Sequence, residues 1–181
     1  VQARFVRFNI ARANRAEPCV DELEIFAAGK NVALADDGAK ATASGVYLDG
    51  GNSIHQLAFV NDGRYGNSRS WIAKNRTDAW VQIELAKPAL IDRITWARDR
   101  EGSYNDRLAV EYTFDVATEP GQWQTVASSA DRPPTGDGTK TKLEYLLAHL
   151  KGREATRAGE LAKRLAGDEQ RLAEIQAMTR R

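Results

Sequence analysis

The sequence VRFNI, residues 6–10, decides the fold, because its apolar and polar residues alternate strictly. Alternation places successive side chains on opposite faces of a β-strand, so these residues predict a strand with one buried face. The same period recurs at residues 22–25, 81–85, 93–96 and 110–116, and clusters of Gly, Asn and Asp separate the segments. Many short strands joined by turns favour a β-sandwich or barrel over an α/β enzyme fold.

The composition changes after the last predicted strand. Residues 131–140 include two prolines and two glycines, so we expect a linker there. Beyond it proline is absent, and Thr141 and Glu144 match a capping box at a helix start. Two leucine-rich stripes follow, out of register with each other: Leu143, Leu147 and Leu150, then Leu161, Leu165, Leu172 and Ile175. Residues 141–181 therefore predict one long amphipathic helix with a stutter, or a hairpin broken near Gly152.

Overall composition narrows the function classes. The 181 residues carry a formal net charge of +1, which gives no general electrostatic reason to bind nucleic acid or an anionic membrane. No apolar run approaches the roughly 20 residues that span a bilayer, so we expect no membrane insertion. A single cysteine, Cys19, excludes an internal disulfide. The sequence starts at Val1 without a signal peptide, as expected for a mature product or a fragment.

Residues 4–26 resemble the closing strands of a discoidin, or coagulation factor type C, domain. In that family an "aRyvRf" strand and a "CIDELEVY" strand end the domain, whereas the matching segments come first here. The segments that resemble the family's opening and middle follow in order: residues 31–34, 40–44, 61–63, Trp71, 80–85 and 91–96. The resemblance covers about residues 3–129 and implies a circularly permuted domain. The predicted fold is mainly β, a discoidin-like jelly-roll β-sandwich over residues 1–130 followed by the C-terminal helical segment.

The resemblance also implies a structural calcium ion. Residues 60–67 stand where related carbohydrate-binding modules have a loop that wraps calcium, an ion that accepts six to eight oxygen ligands. The matching ligands here are the side chains of Asp62, Asn67 and Glu24, with carbonyls near Phe59 and Arg64. Many relatives have Asn or Asp at the position of Arg64, whose cation adds no ligand oxygen. The alternative is a simple turn in which Asp62 caps its own backbone.

In this family the loops at one end of the sandwich bind ligand. Aromatic faces meet the C–H patches of a sugar, and Arg, Asn or His side chains meet its hydroxyls. The resemblance assigns these roles to His55, Tyr65, Trp71, Arg98, Arg100, Tyr104, Asn105 and Arg107. A salt-bridged, solvated loop is the alternative for residues 98–107, whose charges alternate in sign. Trp80, Trp96 and Trp123 match core positions, and Ala79 replaces one aromatic residue of a tryptophan pair found in many relatives.

Catalytic patterns are weak, so we expect no enzyme. Nothing in the spacing of Cys19, His55 and His149 supports a catalytic dyad. Glu22 and Glu24 share a strand face, as two glycosidase carboxylates do, but both belong to the strand motif. The sequence also contains no Gly-rich phosphate loop, zinc-ligand spacing or nucleophile elbow.

The motif series resembles most specifically the discoidin-type insert of large planctomycete extracytoplasmic proteins that carry cytochrome-c-like domains. This resemblance implies a bacterial, periplasmic or secreted location and a non-catalytic module that binds a glycan or polysaccharide. The alternative is a structural or protein–protein interaction domain without a sugar ligand. Its helix would then connect domains or self-associate as a coiled coil, because an exposed leucine stripe needs a partner.

Overall fold

The computed structural model describes residues 1–51, 53–132 and 152–179. It divides the chain into two units, residues 1–132 and 133–181. The first unit contains ten strands: β1 (Gln2–Ala13), β2 (Cys19–Val20), β3 (Glu22–Ala27), β4 (Lys30–Asn31), β5 (Lys40–Ala43), β6 (Trp71–Ile72), β7 (Thr77–Leu90), β8 (Arg93–Ala97), β9 (Ala109–Ala117) and β10 (Gln124–Ser128). Short 3₁₀ turns lie at Ala35–Asp37, Tyr47–Gly50, Leu57–Phe59 and Ser129–Asp131.

The strands form antiparallel sheets. The larger sheet has the order β10-β9-β1-β7-β5, and a three-stranded sheet has the order β4-β3-β8. A further pair, β2 with β6, joins Cys19 to Ile72 and Val20 to Trp71. The prediction of a mainly β chain with a C-terminal helix is confirmed.

The core lies between the two larger sheets. In β1 the side chains of Val6, Phe8 and Ile10 are buried, as the alternation predicts. Phe8 contacts both layers, since its ring lies 4.4 Å from that of Phe114 and 5.0 Å from that of Trp96 in β8. Each such side chain contributes about 1.5–3 kcal/mol through burial. The sheets therefore pack face to face as a β-sandwich.

Two of the tryptophans predicted in the core lie elsewhere. Trp96 packs partly buried against the core, but Trp80 and Trp123 are half-buried and flank Arg7 on the outer face of the five-stranded sheet. The reason for Trp80 is its register. Its neighbour Ala79 is buried, so the next residue along the strand turns outward.

The second unit contains one described helix, α1 (Gly152–Thr179). Leu161, Leu165 and Leu172 are exposed on it, with 49–55% of their surface accessible. The predicted linker beyond Arg132 and the stripe at residues 143–150 lie outside the described residues, as does any break before Gly152. Within the described ranges, no helix is both long enough and apolar enough to cross a membrane.

Candidate functional site

Acidic side chains concentrate where β3 meets the loop of residues 60–67. Asp21 and Glu22 are fully buried, and Glu24 is 8% exposed. The backbone N–H of Leu23 donates to the carbonyl of Val60 at 2.7 Å, which ties the strand to the loop. Burying a carboxylate costs free energy of folding unless its oxygens have partners, so the stability of this cluster depends on the partners of each oxygen.

Glu22 carries an unsatisfied carboxyl oxygen. Its Oε1 accepts the backbone N–H of Gly63 at 3.1 Å, whereas its buried Oε2 has no hydrogen-bond partner among the described residues. Burial is the largest effect on its pKa. The negative charges of Asp62 and Glu24 raise this pKa further, and the hydrogen bond from Gly63 lowers it. The resulting pKa of Glu22 is about 8. At neutral pH and without a nearby cation, this carboxyl therefore holds a proton.

Asp21 shows the same incomplete bonding. Its Oδ2 accepts the backbone N–H groups of Arg100 at 3.0 Å and of Gly66 at 3.4 Å. Its buried Oδ1 has no partner in the described part of the chain. Two neighbouring residues of the sequence thus each leave one buried carboxyl oxygen free to accept a further donor or cation.

The predicted calcium ligands face separate partners. Asp62 accepts the backbone N–H of Arg64 at 2.9 Å, which is the bond of the predicted turn, and forms an ion pair with Arg69. The side-chain oxygen of Asn67 accepts a guanidinium N–H of Arg98 at 2.8 Å. Among residues 1–51, 53–132 and 152–179, no three Asp, Glu, His or Cys side chains form a metal-binding group.

Glu24 is the third predicted side-chain ligand, and both of its oxygens are bonded. It accepts the hydroxyl of Tyr65 at 2.9 Å and the guanidinium of Arg100 at 2.8 Å. The guanidinium of Arg100 also stacks 3.8 Å from the centre of the Tyr65 ring. Tyr65 and Arg100, both predicted sugar contacts, therefore lie together as a partly exposed pair fixed by Glu24. Of the remaining calcium positions, Phe59 stacks its ring on the guanidinium of Arg69 at 4.3 Å.

Trp71 and Arg98 do not belong to an exposed ligand surface, which corrects the sequence prediction for both. Trp71 is fully buried in β6, and its indole N–H donates to the carbonyl of Gly45 at 3.0 Å. Arg98 is 5% exposed and donates to the carbonyl and the carboxylate of Asp106, each at 2.7 Å. Both side chains hold loops together from inside, which the sequence alone does not distinguish from a surface role.

His55 and Arg107 lie at the same end of the sandwich. The Nδ1 atom of His55 is 2.8 Å from the hydroxyl of Ser70, but Ser70 is fully buried, so this pair is not exposed for nucleophilic catalysis. Burial lowers the pKa of His55, and the positive charges of Arg107 and Arg98 lower it further. Arg107 itself forms an ion pair with Glu17 at 2.6 Å.

Tyr104 and Asn105 share an open depression of about 430 Å³ with four further lining residues: Arg15, Gly102, Ser103 and Asp106. Tyr104 is 53% exposed. Its backbone N–H donates to Asp99 at 2.8 Å, and the carbonyl of Asn105 accepts the side chain of Asn14 at 2.7 Å. The sequence prediction missed Arg15, because it reaches this depression from the end of a segment far away in the chain.

A second cavity, of about 360 Å³, lies at an edge of the sandwich and has aromatic walls that include Trp96, Tyr112 and Phe114. Val1 and Arg132 line it as well, so the two ends of this unit lie near each other.

No protein-family model, curated protein or solved structure matches this chain. The functional argument therefore depends on its residues and their geometry.

Proposed function

We propose that residues 1–132 form a non-catalytic glycan-binding module whose ligand site is the depression around Tyr104. The exposed ring of Tyr104 beside Arg15 and Asn105 is the observation that carries this proposal. An aromatic face packs against the C–H side of a pyranose, while guanidinium and amide groups bond its hydroxyls. The hydrogen bonds from the Tyr104 N–H to Asp99 and from the Asn14 side chain to the Asn105 carbonyl restrain the loop, which reduces the entropy lost on binding.

The affinity for a single sugar should be weak. One aromatic ring and few fixed polar groups correspond to a dissociation constant of around 1 mM, or about 4 kcal/mol. A polymer with many repeats binds more tightly when several copies of such a module are linked, because the first contact raises the effective concentration of the remaining repeats at the other modules. A polysaccharide is accordingly the proposed ligand, rather than a free monosaccharide.

Native affinity electrophoresis against plant, algal and sulfated polysaccharides, with calcium present, tests the proposal. The wild-type chain should be retarded by at least one neutral polymer, and Tyr104→Ala should lose that retardation. Tyr104→Phe is the matched control, because it keeps the ring and removes only the hydroxyl. A wild-type chain that no polysaccharide retards would contradict glycan binding.

A structural calcium ion stays part of the proposal, with a changed ligand set. The unpartnered buried Oε2 of Glu22, beside Asp62, supports a cation at this point. Glu24 is occupied by Tyr65 and Arg100, so we assign the glutamate ligand to Glu22. The ion would then be held by Glu22 and backbone carbonyls of the loop, together with Asp62 once its carboxylate exchanges the ion pair with Arg69 for the cation. Bound there, calcium supplies positive charge that keeps Glu22 ionised and fixes the loop to β3.

Circular permutation and an extracytoplasmic bacterial location remain proposals that rest on the resemblance of residues 4–26 and the later motifs. The proximity of Val1 and Arg132 supports permutation, because relocated termini require ends that lie close together.

A structural or protein-interaction role is the second candidate function, and the exposed leucines of α1 favour it. Light scattering of the full chain against a version ending at Arg132 tests self-association. A larger mass for the full chain alone would support an oligomerising helix, whereas two monomers would exclude this use of α1.

A further inference from the structure

The outer face of the five-stranded sheet carries an arginine between two tryptophans. Arg7 lies on the central strand β1, and the centre of its guanidinium is 4.6 Å from the ring of Trp80 and 4.3 Å from that of Trp123. All three side chains are half-buried, so each keeps part of its surface accessible to solvent. Trp80 comes from β7 and Trp123 from the segment before β10, and the arrangement therefore depends on the complete sheet.

Arg7 differs from the other arginines of its strand. Arg4 forms an ion pair with Glu84 at 2.8 Å, and Arg12 forms one with Glu111 at 2.7 Å. Arg7 lies opposite the neutral Gln82 and donates two hydrogen bonds to its side-chain amide oxygen Oε1, at 3.1 and 2.8 Å. Within the described part of the chain, no carboxylate forms an ion pair with Arg7.

The nearest acidic residue on the other side of Arg7 has different partners. Asp115 is the register neighbour of Arg7 in β9. Its two oxygens accept the amide of Asn9 at 2.6 Å and the hydroxyl of Thr125 at 2.7 Å. The guanidinium of Arg7 therefore remains available for an external anion, although the charge of Asp115 lies close by.

We propose that this face is a second binding surface, distinct from the Tyr104 depression, and that it takes a polysaccharide bearing carboxylate or sulfate groups. A planar guanidinium binds such groups through directed, charge-assisted hydrogen bonds. The guanidinium covers the face that each indole turns toward it, and the solvent-accessible remainder of each ring offers apolar contact to the C–H patches of a sugar. Arg7 supplies the charge recognition, and Trp80 and Trp123 supply the contact area.

The sheet surface around Arg7 fits an extended polysaccharide with hydroxyl groups. The register aligns one outward-facing row across all five strands: Thr42, Gln82, Arg7, Asp115 and Thr125. At about 4.8 Å between strands, this row covers about 19 Å. A shallow depression of about 210 Å³ beside Trp80, lined also by Asn9 and Asp78, leaves room for a neighbouring sugar ring. Amide, hydroxyl and carboxylate groups are suitable partners for sugar hydroxyls.

The charges on this face favour an anionic polysaccharide over a nucleic acid. Glu84 and Asp115 lie in the same sheet as Arg7, and the chain as a whole has a net charge of only +1. A nucleic-acid backbone with closely spaced phosphates requires several cations along its path. One unpaired guanidinium between acidic neighbours instead suits a polymer that presents single anionic groups among neutral hydroxyls.

Gln82→Glu is the decisive variant, because it places a carboxylate where Arg7 already donates two hydrogen bonds. The internal ion pair should compete with an external anion and weaken binding of polygalacturonate or carrageenan about tenfold, while the unfolding midpoint is unchanged or higher. Asp115→Asn should strengthen binding, because it removes a repelling charge. Arg12→Gln is the matched control, since it removes a cation of the same strand that already has a carboxylate partner.

Native affinity electrophoresis of the full chain in gels with polygalacturonate, carrageenan or neutral galactan provides the measurement. We expect retardation in one or both anionic gels, lost in Gln82→Glu and Trp123→Ala but retained in Arg12→Gln and Tyr104→Ala. Retention in Tyr104→Ala separates this surface from the loop site proposed above. The inference is overturned if neither anionic polymer retards the chain, if Gln82→Glu migrates like wild type, or if oligodeoxythymidine binds equally well.

Discussion

Gly63 donates its backbone N–H to the buried carboxyl of Glu22 at 3.1 Å, and this hydrogen bond is one of those that join the loop of residues 60–67 to β3. The bond satisfies only one carboxyl oxygen. A loop that contributes one N–H to a buried acid leaves the other oxygen dependent on a proton or a cation. The charge of Glu22 therefore depends on whether a proton or a cation occupies that oxygen.

Glu22 should withdraw its contribution to the stability of the metal-free chain as the pH rises from about 4.5 to about 8. Glu22 has a pKa of about 8 in the folded state against 4.5 for an unperturbed glutamate, so the folded state keeps a proton that the unfolded state releases. The loss reaches at most about 1.4 kcal/mol per pH unit and ends above the folded pKa. Glu22→Gln should flatten this dependence. Urea unfolding in a chelator across this range measures it, and an identical slope in the variant would contradict the assignment.

Calcium should raise the unfolding midpoint of the wild-type chain at pH 8. Binding to the folded state alone stabilises it by about 2.7 kcal/mol at a hundredfold excess of ion over its dissociation constant. Glu22→Gln and Asp62→Ala should abolish the increase, whereas Glu24→Gln should retain it, because Glu24 bonds Tyr65 and Arg100 instead. Differential scanning calorimetry with calcium and with chelator gives the answer. No calcium effect on well-stripped wild type would mean that the loop is only a turn.

Strand alternation predicted the sandwich because β1 and β7 each bury alternate residues, and that pattern is local. It could not separate Glu22 from Glu24, which have the same residue type, strand and face. The difference comes from residues that are distant in sequence. Glu22 receives one donor, the N–H of Gly63, whereas Glu24 receives two, from Tyr65 and Arg100. Sequence also misplaced Trp71, since β6 has two residues and no period of its own.

His55 should titrate below the ordinary histidine range. Burial is the main cause, and the positive charges of Arg107 and Arg98 add to it. A depressed pKa means that the folded state holds neutral His55, so its contribution to stability is present above the unfolded value of about 6.5 and falls as the pH drops below it. NMR titration measures this pKa, with His55→Asn to assign the resonance. Arg107→Gln should raise it, and an unchanged value would exclude the proposed charge effect.

Arg98 should be the most costly arginine to remove from the sandwich. It is 5% exposed and binds both Asp106 and Asn67, so Arg98→Met leaves the Asn67 amide oxygen without this donor and leaves Asp106 only its longer ion pair with Arg107. Removing one partner of a fully buried ion pair costs about 3–5 kcal/mol, and the 36% exposure of Asp106 places the expected cost below that range. Arg12→Met is the matched control, because its ion pair with Glu111 is exposed on both sides and should matter little. Urea unfolding of both variants compares them. Equal midpoints would show that Arg98 does not hold the loops together, and that the 98–107 segment is the solvated, salt-bridged loop that its alternating charges also allow.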